Sequence, residues 1–482
     1  MKIKNIFQQF KKHWILVLIF LFATILRTWD VPNGVIFFSD AAYDIRVAQQ
    51  AVIDKQLPLL GIPSSLPRFK QGPVTVWINM ILSLFFDYNL AAYALFFIFL
   101  SLLSLILVYE FSDRYLSSRT SLITAALIAF SPFAIAQARM PYHTNPIPFA
   151  VILYLFALVR LNDKKKYSMF FAFLSWAFLF QFELAVFPTI LLIPFVLYRS
   201  NQLQKLKSDS QQILSALLIG LLPQLVYDVQ NKFSQLGLFI IWVGYRLISL
   251  FGGTHSFGGD KIRTVLEAFK LYGGRIFSVN ITLINFLFLI IIGYSSYLVY
   301  RDRKKKNRNQ AIEIVTFFTF ILSIGYLAHG GPSEAYFPPF IVLFPLMAAY
   351  GLDKILRTKK KWLLGFIFIY ALINTKSIFN HNFFVSNDQV FSYSYSVGEQ
   401  KEVVSFILNN SGGDYQLDTT RDIRKFKSTF DNLRFFSEAQ GISENINSKK
   451  YYYIEERDSI LKDSPMIKVK HFPSVDVYYY EQ

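Results

Sequence analysis

Eleven apolar runs of fourteen to twenty-two residues recur along this chain, separated mostly by short polar connectors, and few folds can accommodate them. They fall near residues 14–29, 90–111, 120–137, 147–161, 167–182, 184–199, 211–227, 281–300, 311–328, 337–350 and 362–378. About 20 apolar residues in helical form span a bilayer's hydrocarbon core, and backbone in contact with lipid must satisfy its own hydrogen bonds. At 53% hydrophobic and 18% aromatic residues, with 51 Phe, the 482-residue chain is too apolar for a water-soluble globule. The sequence therefore predicts a mostly α, polytopic membrane protein of about eleven transmembrane helices.

A formal charge of +17 would suit a nucleic-acid partner, but the basic residues sit in runs between the apolar segments. With the N-terminus inside, the inner connectors 1–13, 112–120, 160–166, 199–210, 301–310 and 351–361 hold 24 Lys and Arg. The short outer turns near 138–146, 182–184 and 329–336 hold only Arg139. Such asymmetry orients membrane proteins and excludes nucleic acid as the reason for the charge. It predicts a multi-pass protein of the cell membrane with a cytoplasmic N-terminus and long outer loops at 30–89 and 228–280. The first apolar run follows Lys2, Lys4, Lys11 and Lys12 and has no small-residue cleavage site, so it reads as a retained start helix. The chain has no Cys, and hence no disulfide and no thiolate metal site.

Two further apolar stretches fit the charge pattern only if they do not span. Pro73 to Phe86 is expected as a juxtamembrane helix, and Leu236 to Phe251 as an interfacial helix leading into a glycine-rich lid, Gly252 to Gly259. Residues 1–380 then form the transmembrane catalytic domain and 381–482 a small extracytoplasmic α/β domain. In the latter, Tyr415–Asp418, Lys450–Ile454, Ile467–His471 and Val475–Tyr480 read as strands, and 397–409 and 430–440 as helices.

On this topology the polar residues with chemical potential collect at one membrane face. Asp40 and Asp44 lie four apart, on one side of a helix just beyond the first span. A carboxylate at such a boundary is partly desolvated, which suits it to act as a base, although Asp40 in a first turn is equally placed as a cap. Arg68, Lys70, Arg139, His143 and Asn145 are candidates to hold a phosphate, and His255, Glu334 and Tyr336 to hold substrate. Each has a plainer alternative: snorkelling for Arg68 and Lys70, a capped turn for Arg139 to Asn145, the interfacial aromatic belt for Tyr336. Glu183 joins them as an unpaired acid at the tip of an apolar hairpin, with the solvated end of that turn as its plainer alternative. No zinc-type His spacing, Walker loop, dinucleotide fingerprint or nucleophile elbow is present.

The first loop, with Phe38-Ser39-Asp40-Ala41-Ala42-Tyr43-Asp44, Leu57-Pro58-Leu59-Leu60-Gly61, Gln71-Gly72-Pro73 and Trp77, resembles the GT-C superfamily of membrane glycosyltransferases, most of all glycosyltransferase family 39. Ser131-Pro132, Ala138-Arg139 and Asn145-Pro146 look like that family's second outer motif, and Tyr336-Phe337-Pro338 like its late motif, so the likeness covers roughly residues 14–350. It implies an inverting transfer of a sugar from a polyprenyl phosphate to an acceptor hydroxyl on a glycan, lipid or protein, with membrane lipids around the site. The family's acidic pair is often Asp-Glu in sequence. Here Ala41 follows Asp40 and the second acid is Asp44, so the likeness does not say which carboxylate is the base. A divalent metal serves only some GT-C enzymes and is left open; no metal ligand is assigned. The competing functions are a lipid-linked sugar flippase, an oligosaccharide polymerase or ligase, and a noncatalytic scaffold.

Overall fold

A computed structural model describes residues 2–64, 69–250, 260–279, 281–305, 308–356, 360–380, 396–419, 428–456 and 468–481. Arg68, His255 and the glycine-rich 252–259 stretch lie outside the described residues. The chain opens with α1 (Lys2–Thr28), α2 (Val31–Gly34), α3 (Ser39–Ile53), α4 (Val74–Phe86) and α5 (Leu90–Tyr115). Next come α6 (Ser118–Ala129), α7 (Pro132–Ala138), α8 (Ile147–Asn162), α9 (Ser168–Phe180), a 3-10 turn (Leu184–Leu191), α10 (Leu192–Arg199), α11 (Lys205–Ser208) and α12 (Ser210–Gln230). The rest of the bundle is α13 (Ser234–Leu250), α14 (Asp260–Ala268), α15 (Thr282–Asp302), α16 (Gln310–His329), α17 (Phe340–Ile355) and α18 (Lys360–Asn380).

Each of the eleven apolar runs is helical, so the fold is mostly α, with a small sheet near the C-terminus. Among the described residues, five helices are long and apolar enough to cross a membrane: α5, α12, α15, α16 and most of α18. Other runs are shorter or interrupted. The run 120–137 divides into α6 and α7, bent by 63°. The break follows from Pro132, which donates no N–H to the turn before it, and Ser131 Oγ begins the new helix by accepting from the Ala134 N–H at 3.2 Å. Carbonyls freed at the break are taken up by Arg27, whose guanidinium donates to Ile128 O and Ala129 O, each at 3.0 Å. The 13-residue α4 is only about 20 Å long, too short to span.

Buried apolar side chains form two clusters. One fills the helical bundle, with Phe133, Tyr154, Phe318 and Phe340 among its members. The outward faces of α12 and α15 instead carry exposed Leu218, Ile219, Leu283 and Phe286, as lipid-facing helices do. The second cluster joins Phe37, Ala41, Ile45 and Tyr142 to Val403, Phe435, Tyr452 and Val477 of the C-terminal segment. There α19 (Val397–Ser411) and α20 (Asp431–Glu438) accompany β1 (Gln416–Asp418), β2 (Lys450–Glu456), β3 (Lys468–His471) and β4 (Val475–Glu481). The strand order is β1-β2-β4-β3, with β1 and β2 parallel and the remaining pairs antiparallel. Because α20 lies between β1 and β2 in the chain, it makes the crossover that a parallel pair requires. The same helix packs on α3, which carries Asp40 and Asp44.

Candidate active site

Asp40 stands in the first turn of α3, on the wall of a cavity of about 720 Å³. Around it are Tyr43, Lys70, Gln71, Tyr142, His143, Glu183, Trp242, Tyr336 and Ser428, drawn from seven separate stretches of chain. The cavity lies at the end of the bundle where α16 stops. At the opposite end, where α16 starts, a second cavity of about 390 Å³ has its Arg308 and Lys305 paired with Glu313 and Asp302.

Local chemistry explains how each wall is built. A narrow hairpin carries Lys70: the Gly61 N–H donates to Gln71 O at 2.8 Å, the Gln71 N–H to Ile62 O at 2.9 Å and the Ser64 N–H to Phe69 O at 2.8 Å. A Cβ at position 61 would sit 2.2 Å from Gly72 O, so only glycine permits this approach. Trp77 Nε1 donates to Pro58 O at 2.8 Å and closes the base of the loop. The hairpin rests on α13 through Phe69, Phe239 and Trp242, and the Lys70 N–H donates to Gln235 Oε1 at 2.9 Å.

Residues 138–146 form a tight turn that presents Tyr142 and His143. Asn145 does not reach the cavity: its Nδ2 donates to Gln137 O and to Met140 O and staples the turn. Arg139 is also turned away. Its guanidinium is buried against Gly34 and donates to Trp29 O, and burial lowers its pKa to about 10, with Asp30 opposing. Both residues, expected from the sequence to hold a phosphate, make these backbone contacts and are not among the side chains that line the cavity. Neither residue's partner was visible in the sequence, because each lies across the turn or on another helix.

The two aspartates are placed differently. Asp40 is exposed to the cavity and accepts a hydrogen bond from Ser428 Oγ at 2.6 Å. Asp44 is fully buried, neither oxygen has a hydrogen-bond partner, and His143 Nδ1 stands 3.5 Å from its Oδ2. Burial raises the Asp44 pKa, and the nearby imidazole works against that rise. The other ring nitrogen, His143 Nε2, lies 3.2 Å from Gln71 Nε2.

Glu183, read from the sequence as a hairpin tip, is buried and lines the cavity. Its Oε1 accepts from the Ala185 N–H at 3.0 Å and caps the 3-10 turn. Burial raises its pKa, opposed by His143 and by the Ala185 and Leu184 N–H groups. One signal was available: it is the sole acid between Asp163 and Asp209. Tyr336 lines the far wall with its hydroxyl 3.2 Å from His329 Nε2, while Glu334 lies behind it, buried, its pKa raised to about 8. Behind this wall, Arg246 of α13 donates to His329 O at 2.8 Å and lies 5.7 Å from the ring centre of Trp242. Among the described residues no three His, Asp or Glu side chains converge as a metal site.

The family described as dolichyl-phosphate-mannose-protein mannosyltransferase matches residues 70–227, roughly a third of the chain. Among solved structures, ArnT from Cupriavidus metallidurans bound to undecaprenyl phosphate superposes with a TM-score of 0.57 at 11% identity, covering 97% of this chain and 98% of that one. The oligosaccharyltransferase of Archaeoglobus fulgidus, tethered to an acceptor peptide, gives 0.50 at 13% identity over 93% of this chain and 70% of that one. No curated protein matches by sequence.

Proposed function

From a fold shared with the GT-C membrane glycosyltransferases, we propose that this chain moves a hexosyl or pentosyl group from a polyprenyl phosphate to an acceptor hydroxyl, with Asp40 as the general base. The single observation that carries this reading is the placement of Asp40. Of the two acids that line a large cavity at one end of an apolar bundle, it is the exposed one, and the cation Lys70 lines the same space.

In this reaction the acceptor oxygen attacks the anomeric carbon as Asp40 takes its proton. The bond from that carbon to the phosphate oxygen breaks, the anomeric centre inverts, and polyprenyl phosphate leaves. Charge building on the leaving phosphate calls for fixed cations and donors. Lys70 is one. Arg246, near Trp242 of the wall, is a cation close to the same space. His143, oriented by Asp44 and Gln71, supplies a further polar contact. Asp44 itself is too deeply buried to meet an acceptor and acts through His143. Ile62, Leu184 and Trp242 give the cavity an apolar side suited to the first isoprene units. The carrier class draws support from ArnT, which was solved with undecaprenyl phosphate bound. The Lys and Arg pattern supports an extracytoplasmic position for the cavity and the C-terminal segment.

The test is to incubate purified protein with a panel of polyprenyl-phosphate hexoses and pentoses and measure released lipid phosphate. The expected result is turnover of at least one donor and a loss of about 100-fold or more in Asp40→Asn, with folding intact. Full activity in that variant would remove Asp40 from the mechanism, and movement of intact donor across vesicles without transfer would favour a flippase.

A further inference from the structure

We infer that Ser428, supplied by the C-terminal segment, is a positioning residue for Asp40, so that docking of the soluble part on α3 is a condition of catalysis. The inference rests on Asp40 being the base. The Ser428 hydroxyl donates to Asp40 Oδ1 at 2.6 Å, and both residues line the cavity. The torsion that turns a carboxylate is broad and roughly two-fold, so an aspartate in an exposed first turn samples several orientations. A donor fixed on one oxygen selects among them.

The donor here is fixed by a series of bonds between the same two elements. Ser39 Oγ, one residue before Asp40, donates to Thr429 O at 2.8 Å, one residue after Ser428. The Ser428 carbonyl takes the Asp431 N–H at 2.9 Å and so closes the turn that opens α20. Arg46, further along α3, bridges to both Asp431 and Glu438 of α20. Gln400 Nε2 donates to Phe37 O at 2.8 Å, its Oε1 accepts from Asn432 Nδ2 at 3.1 Å, and Phe37 packs edge-on against Phe435 and Phe436. Carboxylate and hydroxyl are thus joined through one continuous set of contacts, although 388 positions separate them in the chain. A side chain with no charge of its own, at the surface of a soluble segment, becomes part of the geometry of proton transfer.

The experiment uses the full chain in lipid nanodiscs, with whichever undecaprenyl-phosphate hexose or pentose the wild type turns over. Ser428→Ala is expected to lower kcat about tenfold with KM for the donor unchanged, because misorientation affects the chemical step and leaves donor binding alone. Ser428→Thr, which keeps the hydroxyl, is expected to recover most of the loss. Wild-type kcat in Ser428→Ala, a change confined to KM, or failure of Thr to recover activity would overturn the inference. Asp40→Asn run in parallel separates the two readings. If it is inactive while Ser428→Ala is normal, only the positioning role fails; if Asp40→Asn is active, the base assignment fails.

Discussion

At the level of single residues, burial sorts the acids into different tasks. Asp40 faces the cavity, Glu183 caps a turn at its wall, and Asp44 and Glu334 are enclosed. On the proposal that Asp44 acts through His143, removing either should have the same consequence. Asp44→Asn and His143→Asn are each expected to slow transfer, and the double variant to be no slower than the worse single; multiplicative losses in kcat/KM would show independent roles. Glu334 predicts a pH effect. Its folded pKa of about 8 lies above the ordinary 4.5, so the folded state holds a proton that the unfolded chain releases. Stability therefore falls as pH rises through this window, on the order of 1.4 kcal/mol per pH unit, and levels off above about 8. In thermal unfolding, Glu334→Gln should be more stable than wild type by a margin that grows from pH 5 to 8 and then stays constant.

Among elements, the break between α6 and α7 matters most for the site, because α7 leads into the turn that presents Tyr142 and His143. Breaking a span exposes carbonyls to an environment without water, and each buried carbonyl left without a donor costs about 1–3 kcal/mol. Arg27 of α1 meets two of them and also donates from Nε to Ser101 Oγ at 3.2 Å. Arg27→Ala should thus lower stability by about 2–5 kcal/mol, and Arg27→Lys by less, as read by unfolding in detergent. Equal melting temperatures for all three proteins would show that the break needs no donor from α1. The hairpin of residues 61–71 follows the same logic at smaller scale: Gly61 and Trp77, two residues that carried the family resemblance, act by holding the loop that presents Lys70.

For the whole molecule, the chemistry depends on which side of the membrane the cavity faces. Since the chain has no cysteine, single reporters are clean: Gln56→Cys and Gln440→Cys should react with an impermeant maleimide in intact cells, while Lys165→Cys and Lys304→Cys should react only after lysis. The reverse pattern would place the cavity on the cytoplasmic side and end the proposal. The helical architecture could be read directly because apolar periodicity and helix-breaking prolines are local signals, and the bilayer requires helices wherever they occur. Asp40, Lys70, His143 and Tyr336 could be singled out because a charge, an imidazole or an aromatic between apolar spans stands out in one dimension. What the sequence left open was direction and partnership. Arg139 and Asn145 looked like Lys70 and His143 but turn inward to satisfy backbone carbonyls, Asp44 differs from Asp40 only by the depth at which α3 is packed, and Ser428 has no distinguishing mark at all. Those distinctions arise when segments hundreds of residues apart are pressed together, because burial and hydrogen-bond partners belong to the packed molecule and have no counterpart in a linear pattern.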